Sequence, residues 1–115
     1  MLKPDIVRLQ HMVDAANEAL SFIADKSKNE LESDRTLALA LVKSIEIFGE
    51  AASKVSRELR SHCSEIPWAD IISMRNRLIH SYFDVNLDIV WQTVTEELPL
   101  VVTQIQKLLE ADNFQ

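Results

Sequence analysis

Apolar residues recur at steps of three and four in the first part of the chain, at Ile6, Leu9, Val13, Ala16, Leu20 and Ile23. That spacing predicts an amphipathic helix from about Asp5 to Lys26. Pro4 suits its first turn, and Asp5 suits the positive end of its dipole. Ser27-Lys28-Asn29-Glu30 reads as a polar connection, after which Ser33 or Asp34 can cap a second helix. Its stripe of Leu37, Leu41, Ile45, Phe48, Ala52, Val55 and Leu59 carries that helix to about Arg60. His62-Cys63-Ser64-Glu65 forms a link ending in Ile66-Pro67, and a short third helix runs from Trp68 to about Ile79. Asp84-Val85-Asn86 breaks the pattern, and Asn86 can cap a fourth helix from Leu87 to about Leu109. Pro99 lies inside that helix and should kink it, at a cost of about 3 kcal/mol. The expected fold is all-α, an antiparallel bundle of four to five helices. No strand should exceed a chance bridge, and Trp68 and Trp91 should be at least partly buried.

Composition sharpens this picture. With 115 residues, the expectation is a single domain over residues 1–115. One Gly and three Pro leave little turn material, which disfavours a many-stranded sheet. The start of the chain shows no apolar secretory run, and the longest apolar stretch, Leu37 to Val42, is six residues. A membrane span needs about 20. The lone Cys63 cannot form an internal disulfide, which suits a reducing compartment. These features predict a soluble, cytoplasmic protein without membrane association.

Net charge is −6, which argues against broad, non-specific binding to nucleic acid. The distribution is uneven. Residues 34–80 hold seven basic and six acidic groups, whereas residues 1–33 hold four and six, and residues 81–115 hold one and six. A polyanion would meet the middle of the chain.

Two places in that middle stand out. Gly49, the only glycine, falls inside the second helix, where it costs about 1 kcal/mol relative to Ala. With Ala51 and Ala52 it makes a flat strip for close helix approach, either within the chain or between subunits. Glu50 beside it can pair with a base across the strip or stand as a solvated carboxylate.

The second place is the end of the third helix, where Arg75, Asn76, Arg77, His80 and Tyr82 crowd together. On a continuous helix Asn76 and His80 would share a face, but Arg75 and His80 would lie about 140° apart. They converge only if the helix ends near His80 or a second chain contributes. The set suits phosphodiester cleavage. His80 can exchange a proton near neutrality, Arg75 offers a charged fork for a phosphoryl group, and Asn76 can hold a phosphate oxygen or orient His80. No Asp, Glu or Cys cluster at metal-ligand spacing accompanies them, so neither a metal nor another cofactor is expected. The bland alternative is a helix-capping histidine beside a surface arginine.

The string Ile66-Pro67-Trp68-Ala69-Asp70-Ile71-Ile72-Ser73-Met74-Arg75-Asn76-Arg77-Leu78-Ile79-His80-Ser81-Tyr82-Phe83 resembles the signature of HepT-type toxins of the HEPN superfamily. Gly49-Glu50-Ala51-Ala52 and Trp91 look like that family too, so the resemblance spans nearly the whole chain. Its core pattern, Arg-x4-His-x-Tyr, is met by Arg75, His80 and Tyr82. The resemblance implies a metal-independent endoribonuclease toxin acting on RNA as a homodimer, with Arg75 and His80 of both chains in one cleft. It also implies a minimal nucleotidyltransferase antitoxin that silences the toxin by adding AMP to Tyr82. An independent argument favours the dimer: attack by an RNA 2′-hydroxyl needs both a base and an acid, and one chain offers a single motif His.

Two other readings compete. One is a non-catalytic helical subunit that binds nucleotide or substrate for a nucleotidyltransferase. The other is a structural bundle in which Arg75 and His80 do no chemistry. Tyr82 likewise either packs its ring against the helix end or faces the cleft.

Overall fold

The structure is a computed structural model that describes the backbone of residues 1–81 and 84–113 and the side chains of residues 1–78 and 84–112. It is all-α, with four long helical stretches and two short helices. Helix α1 spans Lys3–Phe22, α2 Lys28–Ser33, α3 Arg35–Ser53, α4 Arg57–His62 and α5 Trp68–Leu78. A small hairpin of β1, Ile79–Ser81, and β2, Asp84–Val85, precedes α6 at Leu87–Gln92. A π-helical turn at Thr93–Glu97 then leads into α7, Leu98–Asn113.

Side chains that compete for the backbone make several ends fall short of those the apolar stripes predict. Helix α1 stops at Phe22 rather than Lys26, because Asp25 turns into the left-handed region at φ 62°. Ser27, expected in a plain linker, caps α2 by accepting from the Glu30 amide at 3.2 Å. Asp34 caps α3 as anticipated, accepting from Leu37 N at 3.0 Å. The long second helix is in fact two, α3 and α4. Ser53 turns its hydroxyl back onto the Glu50 carbonyl at 2.6 Å, and Ser56 then starts α4 by accepting from Leu59 N at 3.1 Å. Asp5 also does more than meet a dipole. It is buried, and its carboxylate accepts from Ser56 N at 2.8 Å and from Ser56 Oγ at 2.7 Å, tying α1 to the start of α4.

One apolar core joins these helices. Leu9, Met12, Leu41, Ile45, Phe48, Ile71, Leu78, Leu98 and Ile105 are shielded from solvent. Helix α1 packs along α3 and also meets α7, while α3 packs against α5. The buried face of α1 runs through Leu9, Met12, Ala16 and Ala19, leaving Val13 and Leu20 at its edge. Trp68 is buried, with its indole N–H donating to the Cys63 carbonyl at 3.0 Å, and Trp91 is half-buried. Cys63, expected in a polar link, lies in the core, and burial raises its thiol pKa. Among the described residues no helix is long and apolar enough to cross a membrane.

Two departures from regular helix matter most. The first is the π turn just before Pro99. A proline removes its own N–H and crowds the carbonyl four residues back, and the wider turn at Thr93–Glu97 accommodates both. The second is the end of α5 at Leu78, one residue earlier than expected, where the chain passes straight into the extended β1. The hairpin pairs Ile79 with Val85 and Ser81 with Asp84, a short true pairing where only a chance bridge was expected. Asn86 closes it, donating its amide to the Leu78 carbonyl at 2.8 Å while its side chain caps α6 through Ile89 N at 3.2 Å.

Gly49 sits, buried, where α3 crosses α5. A Cβ added there would lie 3.0 Å from the Ile71 carbonyl oxygen, a backbone atom that cannot swing aside. The close approach is therefore within the chain. A Gly49→Val variant should be destabilised by about 1–3 kcal/mol through overpacking. Urea denaturation checks this, and an unchanged midpoint would show that α5 gives way freely.

Candidate active site

The site begins at the Gly49 crossing. From that contact, three residues back along α3 and four residues forward along α5 both lead one turn in the same direction, because the helices run antiparallel. Those steps reach Glu46 and Arg75. Arg75 Nε donates to Glu46 Oε1 at 2.9 Å, and Lys43 Nζ lies 3.9 Å from Glu46 Oε2. The Arg75 side chain is 48% exposed and that of Glu46 is 25% exposed, so the pair contributes at most about 1 kcal/mol to stability. Its effect is orientation: a carboxylate holding the inner nitrogen of the guanidinium fixes the plane of the fork.

Glu50 lies one turn further along α3. It lines the same small pocket of about 110 Å³ as Arg75 and Glu46, with Gly49 and Ile71 at its back. Its own carboxylate pairs along the helix with Lys54, 3.5 Å away. The partner across the strip is therefore Glu46, which the motif string does not contain. One signal in the sequence points to it. Glu46 shares a helical face with Gly49 and Glu50, and Gly49 marks where a second helix comes close.

On α5, Asn76 is exposed and makes no side-chain hydrogen bond among the described residues. Arg77 points a different way from Arg75, with Nη2 at 4.0 Å from Glu97 Oε2 in the π turn. The two arginines thus tether the last turn of α5 to two separate elements. Beyond it, His80 sits on β1, so the helical phase that separated it from Arg75 no longer applies, and neither does the shared helix face with Asn76. The His80 side chain and all of Tyr82 lie outside the described residues. Among those described, no three His, Cys, Asp or Glu side chains come together as metal ligands would.

The surroundings are cationic for so acidic a chain. Arg75, Lys43 and Lys54 stand within a few turns of one another, opposed by Glu46 and Glu50. All three bases are engaged by carboxylates in solvent-exposed pairs, which a more highly charged anion can replace at small cost.

Comparison with known proteins agrees with the motif. Residues 12–108 match the family described as Ribonuclease HepT-like. The chain is 34% identical over 104 residues to "Putative RNase TTE0752" of Caldanaerobacter subterraneus subsp. tengcongensis, covering 90% of this chain and 93% of that protein. It is 29% identical over 100 residues to "Probable ribonuclease HepT" of Thermococcus cleftensis, covering 87% and 91%. It is 28% identical over 98 residues to "Putative RNase MJ1380" of Methanocaldococcus jannaschii, covering 85% and 90%. No solved structure matches. With its α-helical bundle, its Arg75–His80 spacing and a family match over most of its length, the chain belongs to the HepT-like ribonucleases.

Proposed function

We propose that this protein is a metal-independent endoribonuclease toxin, with Arg75 and His80 as catalytic residues and Asn76 and Glu50 in support. The observation that carries the reading is the end of α5 at Leu78, between Arg75 and His80. A continuous helix would have held these residues on different faces. An ending inside the motif releases His80 onto an extended segment while Arg75 stays anchored on α5.

In the reaction, the RNA 2′-oxygen bonds to the adjacent phosphorus as the bond from phosphorus to the 5′-oxygen breaks. One base takes the 2′-hydroxyl proton and one acid gives a proton to the departing 5′-oxygen, leaving a cyclic phosphate and a 5′-hydroxyl. Arg75 meets the charge that gathers on the non-bridging oxygens, exchanging the Glu46 carboxylate for phosphate. A single imidazole cannot be protonated and deprotonated at once. A two-fold dimer supplies both forms by bringing His80 of each chain to one cleft, and it doubles the local positive charge.

Regulation follows from Tyr82, two residues beyond His80. AMP joined to its hydroxyl would place a phosphodiester anion where Arg75 can receive it, and an adenosine where RNA enters. A minimal nucleotidyltransferase partner that adds AMP at Tyr82 would thereby act as the antitoxin.

His80→Ala should abolish RNA cleavage and growth arrest with the helical circular-dichroism spectrum retained. Arg75→Ala should lose most activity, and Arg75→Lys should restore little, since Lys lacks the planar fork. Cleavage should persist in EDTA. Glu46 is a positioning residue: Glu46→Ala should lower kcat more than it raises KM, and Glu46→Gln, which can still accept from Arg75 Nε, should recover much of the loss. Retained toxicity in His80→Ala, or loss of all cleavage on chelation, refutes the mechanism.

Light scattering should find a dimer at micromolar concentration, and a fully active monomer would rule out a composite site. Co-expression with the cognate nucleotidyltransferase should add about 329 Da per AMP at Tyr82, read by peptide mass spectrometry. Tyr82→Phe should keep much of its cleavage activity and escape neutralisation. Full neutralisation with an unmodified Tyr82 would exclude this mode of control.

A further inference from the structure

A groove of about 580 Å³ runs between α1 and α3 and ends against Arg75 on α5. Its α1 wall carries Arg8 and His11, three residues apart and so on one face. The opposite side carries Lys43 near one end and Lys54, just past the end of α3, at the other. At about 1.5 Å per residue these two lysines stand roughly 16 Å apart, a distance that several nucleotides of an extended strand would cross. With Glu46 and Glu50 counted and histidine neutral, the groove holds four cations against two carboxylates, a net +2 in a chain of −6.

The charges are arranged unevenly. Lys43, Lys54 and Arg75 have carboxylate partners. Among the described residues, Arg8 and His11 make no side-chain hydrogen bond or ion pair. A guanidinium without a protein partner, held half-buried in a groove wall, calls for an anion from outside. Between the bases lies Ile47, 43% exposed, an apolar patch for a sugar or base face. No aromatic side chain lines this groove, so it offers no stacking platform and reads backbone charge rather than base identity.

We propose that Arg8, His11, Lys43 and Lys54 form a track for the sugar-phosphate backbone of single-stranded RNA flanking the bond cut at Arg75. This rests on the reading of the chain as a ribonuclease and extends it: substrate length, and not only the scissile step, governs affinity. The track is sequence-tolerant, so any preference for particular bases arises at the cleavage point.

The test uses the full chain and a long 2′-O-methylated oligoribonucleotide, which lacks the attacking hydroxyl and stays intact during binding. Binding is followed by fluorescence anisotropy across a salt series. Arg8→Gln and Lys54→Gln should each lower the slope of log K against log salt by about 0.7, the value for one phosphate fewer neutralised on a single strand. Arg8→Gln should weaken binding about tenfold, as expected for one charge-assisted hydrogen bond. Lys107→Gln, which removes the same charge from an exposed position on α7 outside the groove, should bind like wild type. With cleavable RNA, Arg8→Gln should reduce kcat/KM for a long strand about tenfold more than for a dinucleotide, which has no flanking phosphates. If Arg8→Gln and Lys54→Gln track Lys107→Gln while the wild type binds and cuts RNA, the groove is refuted and the ribonuclease reading stands. If the wild type neither binds nor cuts RNA, both are refuted.

Discussion

Helices α3 and α5 meet where residue 49 has no side chain, so close that an added Cβ would press on the Ile71 carbonyl. Such contact between backbones leaves little room for adjustment. It fixes the separation, the rotation and the relative height of the two helices at once. Glu46 reaches Arg75 because both lie one turn from this point in the same direction. Had α5 stood further out, as a larger residue at 49 would require, the carboxylate and the guanidinium would be separated by water, and the plane of the fork would be free to turn. The cost of a glycine inside a helix is thus accepted at one position, and the orientation of Arg75 depends on it.

Around this crossing the exit of α5 is held on three sides. Glu46 engages Arg75 from α3, Glu97 faces Arg77 from the π turn, and the Asn86 amide takes the Leu78 carbonyl. None of these contacts is strong alone, and the two ion pairs are solvent-exposed. Together they let an ordered helix end abruptly. Nitrogen and oxygen atoms that a further helical turn would have satisfied are taken over by the hairpin and by Asn86. In a chemistry that needs an anchored cation beside a group on a short extended segment, an abrupt ending is more useful than a gradual one.

Much of this was legible in the sequence, and what was missed follows a pattern. The stripes of Leu37, Leu41, Ile45, Phe48 and Ala52, and of Ile71, Met74 and Leu78, identify the core faces correctly, because burial is what selects them. The caps at Asp34 and Asn86 are visible because a side chain of the right length stands just before the apolar run. The ends of α1 and α3 are not, since Asp25, Ser53 and Ser56 act through local hydrogen bonds and a left-handed turn that periodicity does not register. Likewise the motif string makes Arg75 and His80 conspicuous but passes over Glu46, whose pairing exists only once two helices have been set in register. Glu50, nearer the glycine, turns instead to Lys54 on its own side.

The π turn at Thr93–Glu97 has a consequence for how this chain can change in length. A π turn holds one residue more than the α-helical turn it replaces. Excising a residue there would restore regular winding, yet it would rotate everything downstream by about 100° relative to what precedes it. Val101, Val102 and Ile105, which now close the core from α7, would swing toward solvent, and exposed Leu100 would swing in. Glu97 would leave its place beside Arg77. The surplus residue therefore works as a phase correction between the hairpin side of the molecule and the helix that covers α1. Insertions or deletions are tolerable on either side of it only where they leave that phase unchanged.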